Sequence, residues 1–406
     1  MRAKNSKILL SSTLALLMMN SGCSFKKGAI SELSPENLEQ PSAPCHIVYD
    51  AGSSGTRLYI YEQDGEGWAE HEGPKVAALA DPIREVRGKN KKDIKPVTDE
   101  VVAALDAIKQ NGPENDQGKP KWMAFDWEAH CDLVSANVYA TAGMRLAEQH
   151  DPETSQSLWG MLKQKLQKRV GNAVPVDTRT LTGFEEGLFA WLSVRETRED
   201  NHFGIVEMGG ASSQVTFPFY GKTPDDATRT VIINSIPLQM YSYSFLGLGQ
   251  DEAPKTLGFP ESCAYGIGTI QQDWQPAECA DKILISHPKG VRDPYNFSGT
   301  NQDIQNQLPS CQEDIDNWIL TGAFEHFNEA ENITSCCQEK GECYNQKNSC
   351  FRPIYLKKYL QNLNVPADSE KAQTRWTKGA VICAEEDCLS IAAEPFCRWL
   401  KNGECL

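Results

Sequence analysis

Two short segments, far apart in the chain, are built to one plan. Ile47-Val48-Tyr49-Asp50-Ala51-Gly52-Ser53-Ser54 and Ile205-Val206-Glu207-Met208-Gly209-Gly210-Ala211-Ser212 each give an apolar strand, a carboxylate and a Gly/Ser turn. A second strand follows each turn, Leu58 to Tyr61 in the first and Gln214 to Phe217 in the second. Strands separated by a short turn read as hairpins. A hairpin repeated at this separation predicts two related lobes, each presenting one turn to a shared cleft. Small residues in such turns let backbone N–H groups wrap an anion. Neither turn carries Gly-Lys-Ser/Thr, and each runs into a strand, which excludes a P-loop. Asp50 and Glu207 would face the bound anion from the strand ends. Two facing carboxylates can hold one hard cation through its waters, as Mg²⁺ prefers.

A third segment, Thr182-Gly183-Phe184-Glu185-Glu186-Gly187-Leu188-Phe189-Ala190-Trp191, predicts a helix with one apolar face, from Phe184, Leu188, Trp191 and Leu192. Thr182 and Glu185 fit a capping box, which gives Glu185 a structural task. Glu186 lies about 200° round from Phe184 and can point into the cleft. Near a helix N-terminus the dipole favours its ionised form, as a base for water requires. Two further helices are predicted. One covers residues 98–112, capped by Thr98 and ended by Gly112. The other runs from Ser155 to Val170, with Leu158, Leu162 and Leu166 on one face.

The chain of 406 residues is long enough for two lobes. Arg2, Lys4 and Lys7 precede an apolar run from Ile8 to Met19 that is too short to span a bilayer, so residues 1–22 read as a signal peptide. No other long apolar stretch occurs, and no transmembrane span is expected. Ser21-Gly22-Cys23 resembles a lipoprotein box, but Asn20 stands where Leu is usual, which leaves a lipid anchor at Cys23 open. Polar residues 23–44, with Pro35, Pro41 and Pro44, read as a linker. Loss of the three basic residues with residues 1–22 takes the net charge from −15 to −18. That acidity argues against nucleic acid as a partner. It does not argue against a small phosphate compound held by local loops and metal. Most of the 14 cysteines lie after residue 262. Export favours disulfides, and Cys336, Cys337, Cys343 and Cys350 lack the paired spacing of a zinc site. Without Cys23 the count is odd, and Cys45 or Cys131 is the expected unpaired thiol.

Together with Ala140-Thr141-Ala142-Gly143-Met144-Arg145, Tyr241 to Asp251, and Trp376-Thr377-Lys378-Gly379, these segments resemble, in order, the motifs of the apyrase, or nucleoside triphosphate diphosphohydrolase, family. The resemblance runs from Ile47 to Gly379. It implies an α/β fold of two ribonuclease H-like lobes of the actin and Hsp70 type around a central nucleotide cleft. Lobe I would take 45–182, completed by 374–406, and lobe II 183–373. It implies hydrolysis of nucleoside tri- and diphosphates (ATP, ADP, GTP and others) to the monophosphate, with Mg²⁺ or Ca²⁺, by a secreted, periplasmic or envelope protein acting as a monomer. By position, Glu186 resembles the catalytic base, and Ser212 and Gln214 the residues that place the attacking water. Asp50 and Glu207 resemble the metal ligands, acting through water. Ser53, Ser54, Gly55, Thr56, Arg57, Thr141, Ala142, Gly209, Gly210 and Ala211 resemble the phosphate contacts. The chain departs from the pattern at Glu207, where Asp is usual, and at Gly247-Leu248-Gly249, which lacks polar and aromatic residues. Cys263 to Cys350 matches poorly, and the nucleobase slot is expected in or near it. Tyr355 and Trp376 could stack a base, with core packing the expected role of both. A polyphosphatase, a sugar kinase, or an actin/Hsp70-like nucleotide switch would share the same superfold.

Overall fold

The computed structural model describes residues 42–84, 93–198, 200–219, 227–257 and 351–391, with the shorter stretches 261–263, 275–283, 285, 315 and 317–326. The signal segment, most of the linker, the Cys336–Cys350 cluster and most of the poorly matching region lie outside the described residues.

The chain runs β1 (Ala43–Gly52), β2 (Gly55–Asp64), β3 (Gly67–Val76), a helical turn α1 (Asp81–Arg84), α2 (Lys95–Ala107), a turn α3 (Trp127–His130), β4 (Cys131–Ala140), α4 (Ala142–His150), α5 (Pro152–Val170) and β5 (Val176–Thr180). It continues with α6 (Gly183–Arg195), β6 (Phe203–Met208), β7 (Ser212–Pro218), β8 (Thr228–Ile233), β9 (Ile236–Leu246), α7 (Ala253–Thr256), α8 (Pro276–Lys282), β10 (Asn317–Gly322), α9 (Phe351–Leu363), β11 (Glu370–Lys371) and α10 (Trp376–Glu385). The first sheet has the order β3-β2-β1-β4-β5 and the second β11-β10-β6-β7-β9-β8. In the first, β1 pairs antiparallel with β2 and parallel with β4. In the second, β6 pairs antiparallel with β7 and parallel with β10. Apart from β8 at one edge, the second sheet repeats the topology of the first. This is the two-lobed α/β architecture expected from the repeated hairpin.

Central strands covered on both faces are near-continuously apolar. Ile47, Val48 and Tyr49 in β1, and Ile205 and Val206 in β6, are all buried. α5 begins where Asp151 accepts a hydrogen bond from Thr154 N at 3.1 Å, and it buries Leu158, Leu162 and Leu166 on one stripe. α2 corrects the expected 98–112 helix. It starts at Lys95, because Pro96 in the first turn gives up an N–H that has no intrahelical partner there. Thr98 is inside the helix and donates to the Lys95 carbonyl at 2.9 Å. Gly112 lies beyond the helix end, where the Trp122 ring would sit 2.6 Å from an added Cβ.

α6 has the expected capping box, with Glu185 N donating to Thr182 Oγ1 at 3.2 Å and Thr182 N donating to Glu185 Oε2 at 2.8 Å. The single apolar face does not hold: every residue from Gly183 to Val194 is buried. The reason is α10, which crosses α6 so closely that a Cβ on Gly379 would fall 1.7 Å from the Phe189 carbonyl oxygen. α10 also reaches the first sheet. Thr377 shares a 2.6 Å hydrogen bond with Tyr61 Oη, and Val381 packs with Val48, Tyr59 and Tyr61.

Cys45 and Cys131, the expected odd thiols, are instead joined to each other, alongside Cys263–Cys279 and Cys383–Cys388. Parallel pairing of β1 with β4 places the two at the start of neighbouring strands, whatever their distance in sequence. The Cys45–Cys131 bond spans 86 positions. Its removal by a double Cys→Ser change is expected to lower unfolding stability by about 2–5 kcal/mol. The guanidinium midpoint measures this, and alkylation of Cys45 in unreduced native protein would contradict the pairing.

Candidate active site

The two hairpins end in the same way. In the first, Asp50 pairs with Arg57 and Gly52 with Gly55 around Ser53-Ser54. In the second, Glu207 pairs with Gln214 and Met208 with Ser213 around the Gly209–Ser212 turn. Their tips meet. A Cβ on Gly210 would stand 2.4 Å from Ser53 Oγ and 3.0 Å from Asp251 Oδ2, so a larger residue there would displace both side chains. Ala142 and Leu146 of α4 complete the contact by packing on Ala211 and Leu246.

A cleft of about 350 Å³ lies between them. Of the residues singled out from the sequence, it is lined by Asp50, Ser53, Ser54, Gly55, Arg57, Thr141, Ala142, Glu186, Glu207, Gly209, Gly210, Ala211 and Ser212. Thr141 and Ala142 begin α4, whose N-terminal N–H groups are suited to an anion. Two candidates do not line the cleft. Thr56 is fully buried and donates to the Ala77 carbonyl at 3.0 Å, which makes it a structural residue. Gln214 is fully buried behind Ser212, donating to Ser212 Oγ at 2.7 Å and to Ser244 Oγ at 2.9 Å.

Arg145 ends the Ala140-to-Arg145 motif, where the sequence alone offers it no partner. The structure makes it the central cation. Arg145 Nη2 donates to Glu186 Oε2 and, at 3.2 Å, to Ser212 Oγ, while Nη1 donates to Ser244 Oγ at 2.9 Å. Lys75, Gln250, Glu325, His326, Arg375 and Trp376 also line the cleft. Gln250 and Trp376 lie in segments already singled out from the sequence, whereas Lys75, Glu325, His326 and Arg375 belong to no motif. Tyr355 is a core residue, its hydroxyl donating to the Leu248 carbonyl at 2.6 Å. Trp376 is half-buried and hydrogen-bonds Asp50.

Three carboxylates share this cleft. Burial pushes Asp50 up to about 6, against the pull of Arg57, Lys75 and Arg375. Burial likewise pushes Glu186 up to about 7, opposed by Arg145 and reinforced by Asp50. Desolvation therefore outweighs the helix-dipole effect expected to keep Glu186 acidic. Glu207 is raised well above its ordinary value by burial, then by Glu186 and Asp50. Its Oε2 and Gln214 Oε1 are buried with no hydrogen-bond partner among the described residues. An orphaned carboxylate oxygen in a cluster of mutually repelling acids fits a hard divalent cation.

The profile of the GDA1/CD39 (nucleoside phosphatase) family matches residues 128–366, more than half of the chain. The chain belongs to the GDA1/CD39 family. Among curated relatives, probable apyrase 6 of Arabidopsis thaliana is 27% identical over 219 residues, covering 51% of this chain and 36% of the relative. Ectonucleoside triphosphate diphosphohydrolase 8 of Rattus norvegicus is 25% identical over 231 residues, 52% and 43% of the two chains. The chain thus spans less than half the length of the relatives it matches. Among solved structures, a nucleoside triphosphate hydrolase from Neospora caninum is similar with a TM-score of 0.48 at 13% identity, over 85% of this chain and 93% of that one. A Ppx/GppA family member from Aquifex aeolicus gives 0.47 at 13% identity, over 84% and 97%.

In this GDA1/CD39 family member, a carboxylate whose folded value is raised stabilises most below its ordinary value. That stability is lost as pH rises toward the folded value. In EDTA, native stability is therefore expected to fall from pH 5 to pH 8. Glu207→Gln is expected to raise the melting temperature at pH 8 by about 2–4 °C and to have little effect at pH 5. Differential scanning calorimetry at both pH values tests this, and a variant that melts lower than native at pH 8 would refute the repulsion.

Proposed function

We propose that this protein hydrolyses nucleoside tri- and diphosphates to the monophosphate by attack of an activated water on the terminal phosphorus. The observation that carries the reading is the meeting of Asp50, Glu186 and Glu207 in one cleft walled by two Gly/Ser hairpin turns. In the proposed reaction, Glu186 takes a proton from water as its oxygen bonds to the terminal phosphorus. The bond to the bridging oxygen breaks, and that oxygen leaves on the shortened nucleotide. Ser212 orients the water, and Gln214, buried behind it, holds the Ser212 hydroxyl in place. Arg145 fixes the Glu186 carboxylate and, with Ser212 and Ser244, keeps it aimed into the cleft. Ser53, Ser54 and Arg57, the N–H groups of the Gly209–Ala211 turn, and Thr141 and Ala142 at the start of α4 hold the phosphate chain. Asp50 and Glu207 would hold Mg²⁺ or Ca²⁺ through water. When bound, the cation supplies charge neutralisation for the phosphoryl oxygens, which is the main catalytic need in phosphoryl transfer.

Lobe I comprises 45–182 together with 374–406, and lobe II 183–373, in this reading. A disulfide between Cys45 and Cys131 supports an exported protein, since such bonds persist in oxidising compartments. No helix among the described residues is long and apolar enough to cross a membrane. We therefore read the protein as secreted or held at the cell envelope, acting as a monomer on nucleotides outside the cytoplasm.

Phosphate release from ATP and ADP, with and without EDTA and with inorganic polyphosphate as comparison, tests the substrate class. Glu186→Gln is expected to lower kcat about 10²–10⁴-fold with little change in nucleotide binding, and near-native turnover would overturn the assignment of the base. The base must be ionised to accept a proton, so kcat/KM is expected to fall as pH drops below about 7, following the raised value of Glu186. A profile flat between pH 5 and 8 would argue against it.

A further inference from the structure

Lys75 closes β3 and belongs to none of the recognisable motifs, yet it lines the cleft. Its stem lies flat across the first hairpin. A Cβ on Gly55 would stand 2.4 Å from Lys75 Cε and 3.2 Å from Cγ, so the glycine leaves the path of the stem open. The exposed ammonium ends at the hairpin tip, where it donates to Ser54 Oγ at 3.0 Å. Lys75 is one of the charges that act on Asp50, whereas the charges that act on Glu186 are Arg145 and Asp50. Its hydrogen bond to Ser54 puts the lysine on the first hairpin, the one that carries Asp50.

An in-line displacement needs different groups on its two sides, one set at the attacking water and another at the departing oxygen. Glu186, Arg145, Ser212 and Gln214 form one hydrogen-bonded set and mark the water side. The Ser53-Ser54 tip belongs to the other hairpin, and Lys75 hydrogen-bonds Ser54 there. Resting on the hydrolysis proposed above, we propose that Lys75 grips the leaving phosphate and neutralises the charge that grows there as the bond to the bridging oxygen breaks. A lysine suits this place because a compact charge on a flexible stem can follow the phosphate as it departs. The role is the same for tri- and diphosphates, since both leave with a phosphate attached.

Product inhibition separates the two sides. AMP carries the phosphate that leaves from ADP, while orthophosphate is the transferred group. In Lys75→Ala and Lys75→Gln, the inhibition constant of AMP is expected to rise about 10-fold and that of orthophosphate to change less than about 2-fold. The kcat/KM for ATP and ADP should fall about 10–100-fold, and Lys75→Arg should recover most of the loss. Equal shifts in the two inhibition constants, or no shift in either, would overturn the proposal. Failure of the underlying reading looks different. It shows as absence of ATP turnover by the native protein, or as native turnover by Glu186→Gln. Loss of turnover in Glu186→Gln, with native AMP inhibition in Lys75→Ala, removes the lysine assignment alone.

Discussion

Three carboxylates lining one cleft repel one another, and much of the surrounding structure holds them there. Like charges at short range in a low dielectric are costly, and an acid so placed binds its proton more tightly. Asp50 and Glu186 both follow that rule, and Glu207 follows it further. Arg145 offsets part of the repulsion from one side, and Arg57, Lys75 and Arg375 from the other. What remains without a hydrogen-bond partner among the described residues is the buried Oε2 of Glu207. Strain of this kind is stored at sites that work with a ligand, which relieves it on binding.

Two anchors bring the acids together. The hairpin turns supply Asp50 and Glu207 at matching register positions, each opposite the third residue of the return strand. The capped start of α6 supplies Glu186. The cap explains why adjacent glutamates differ. Glu185 is bound to Thr182 and Arg179 and is held low, while Glu186, one step round the helix, meets Arg145 and the other acids.

The hairpins, the capping box and the stripe of α5 were legible in the sequence, because each is a local pattern whose period or spacing reflects backbone geometry. The paired lobes were legible because one such pattern occurs twice. What escaped depends on contacts between distant segments. Cys45 and Cys131 looked unpaired until parallel strands placed them side by side. Thr56 looked like a phosphate contact because it sits in the turn motif, but strand alternation sends its hydroxyl to Ala77. α6 looked one-sided because α10, far downstream, was not visible as its cover. Arg145 was read as part of a motif with no partner, since its partners Glu186, Ser212 and Ser244 come from three separate elements.

Glycine at two points fixes how α6 sits. Gly187 leaves no room for a side chain against Ser242 and Thr216 of the second sheet, and Gly379 brings α10 against the α6 backbone on another side. Backbone contact has no rotamer to yield, so the helix carrying Glu186 is clamped like a floor joist between two beams. The two turns are held in the same way, since a Cβ on Gly249 would fall 2.3 Å from Ala211 N and one on Gly143 2.8 Å from Ser53 Cα. Whatever adjustment accompanies a molecule's arrival therefore falls to side chains with rotamers to change, such as Lys75, Arg57 and Arg375.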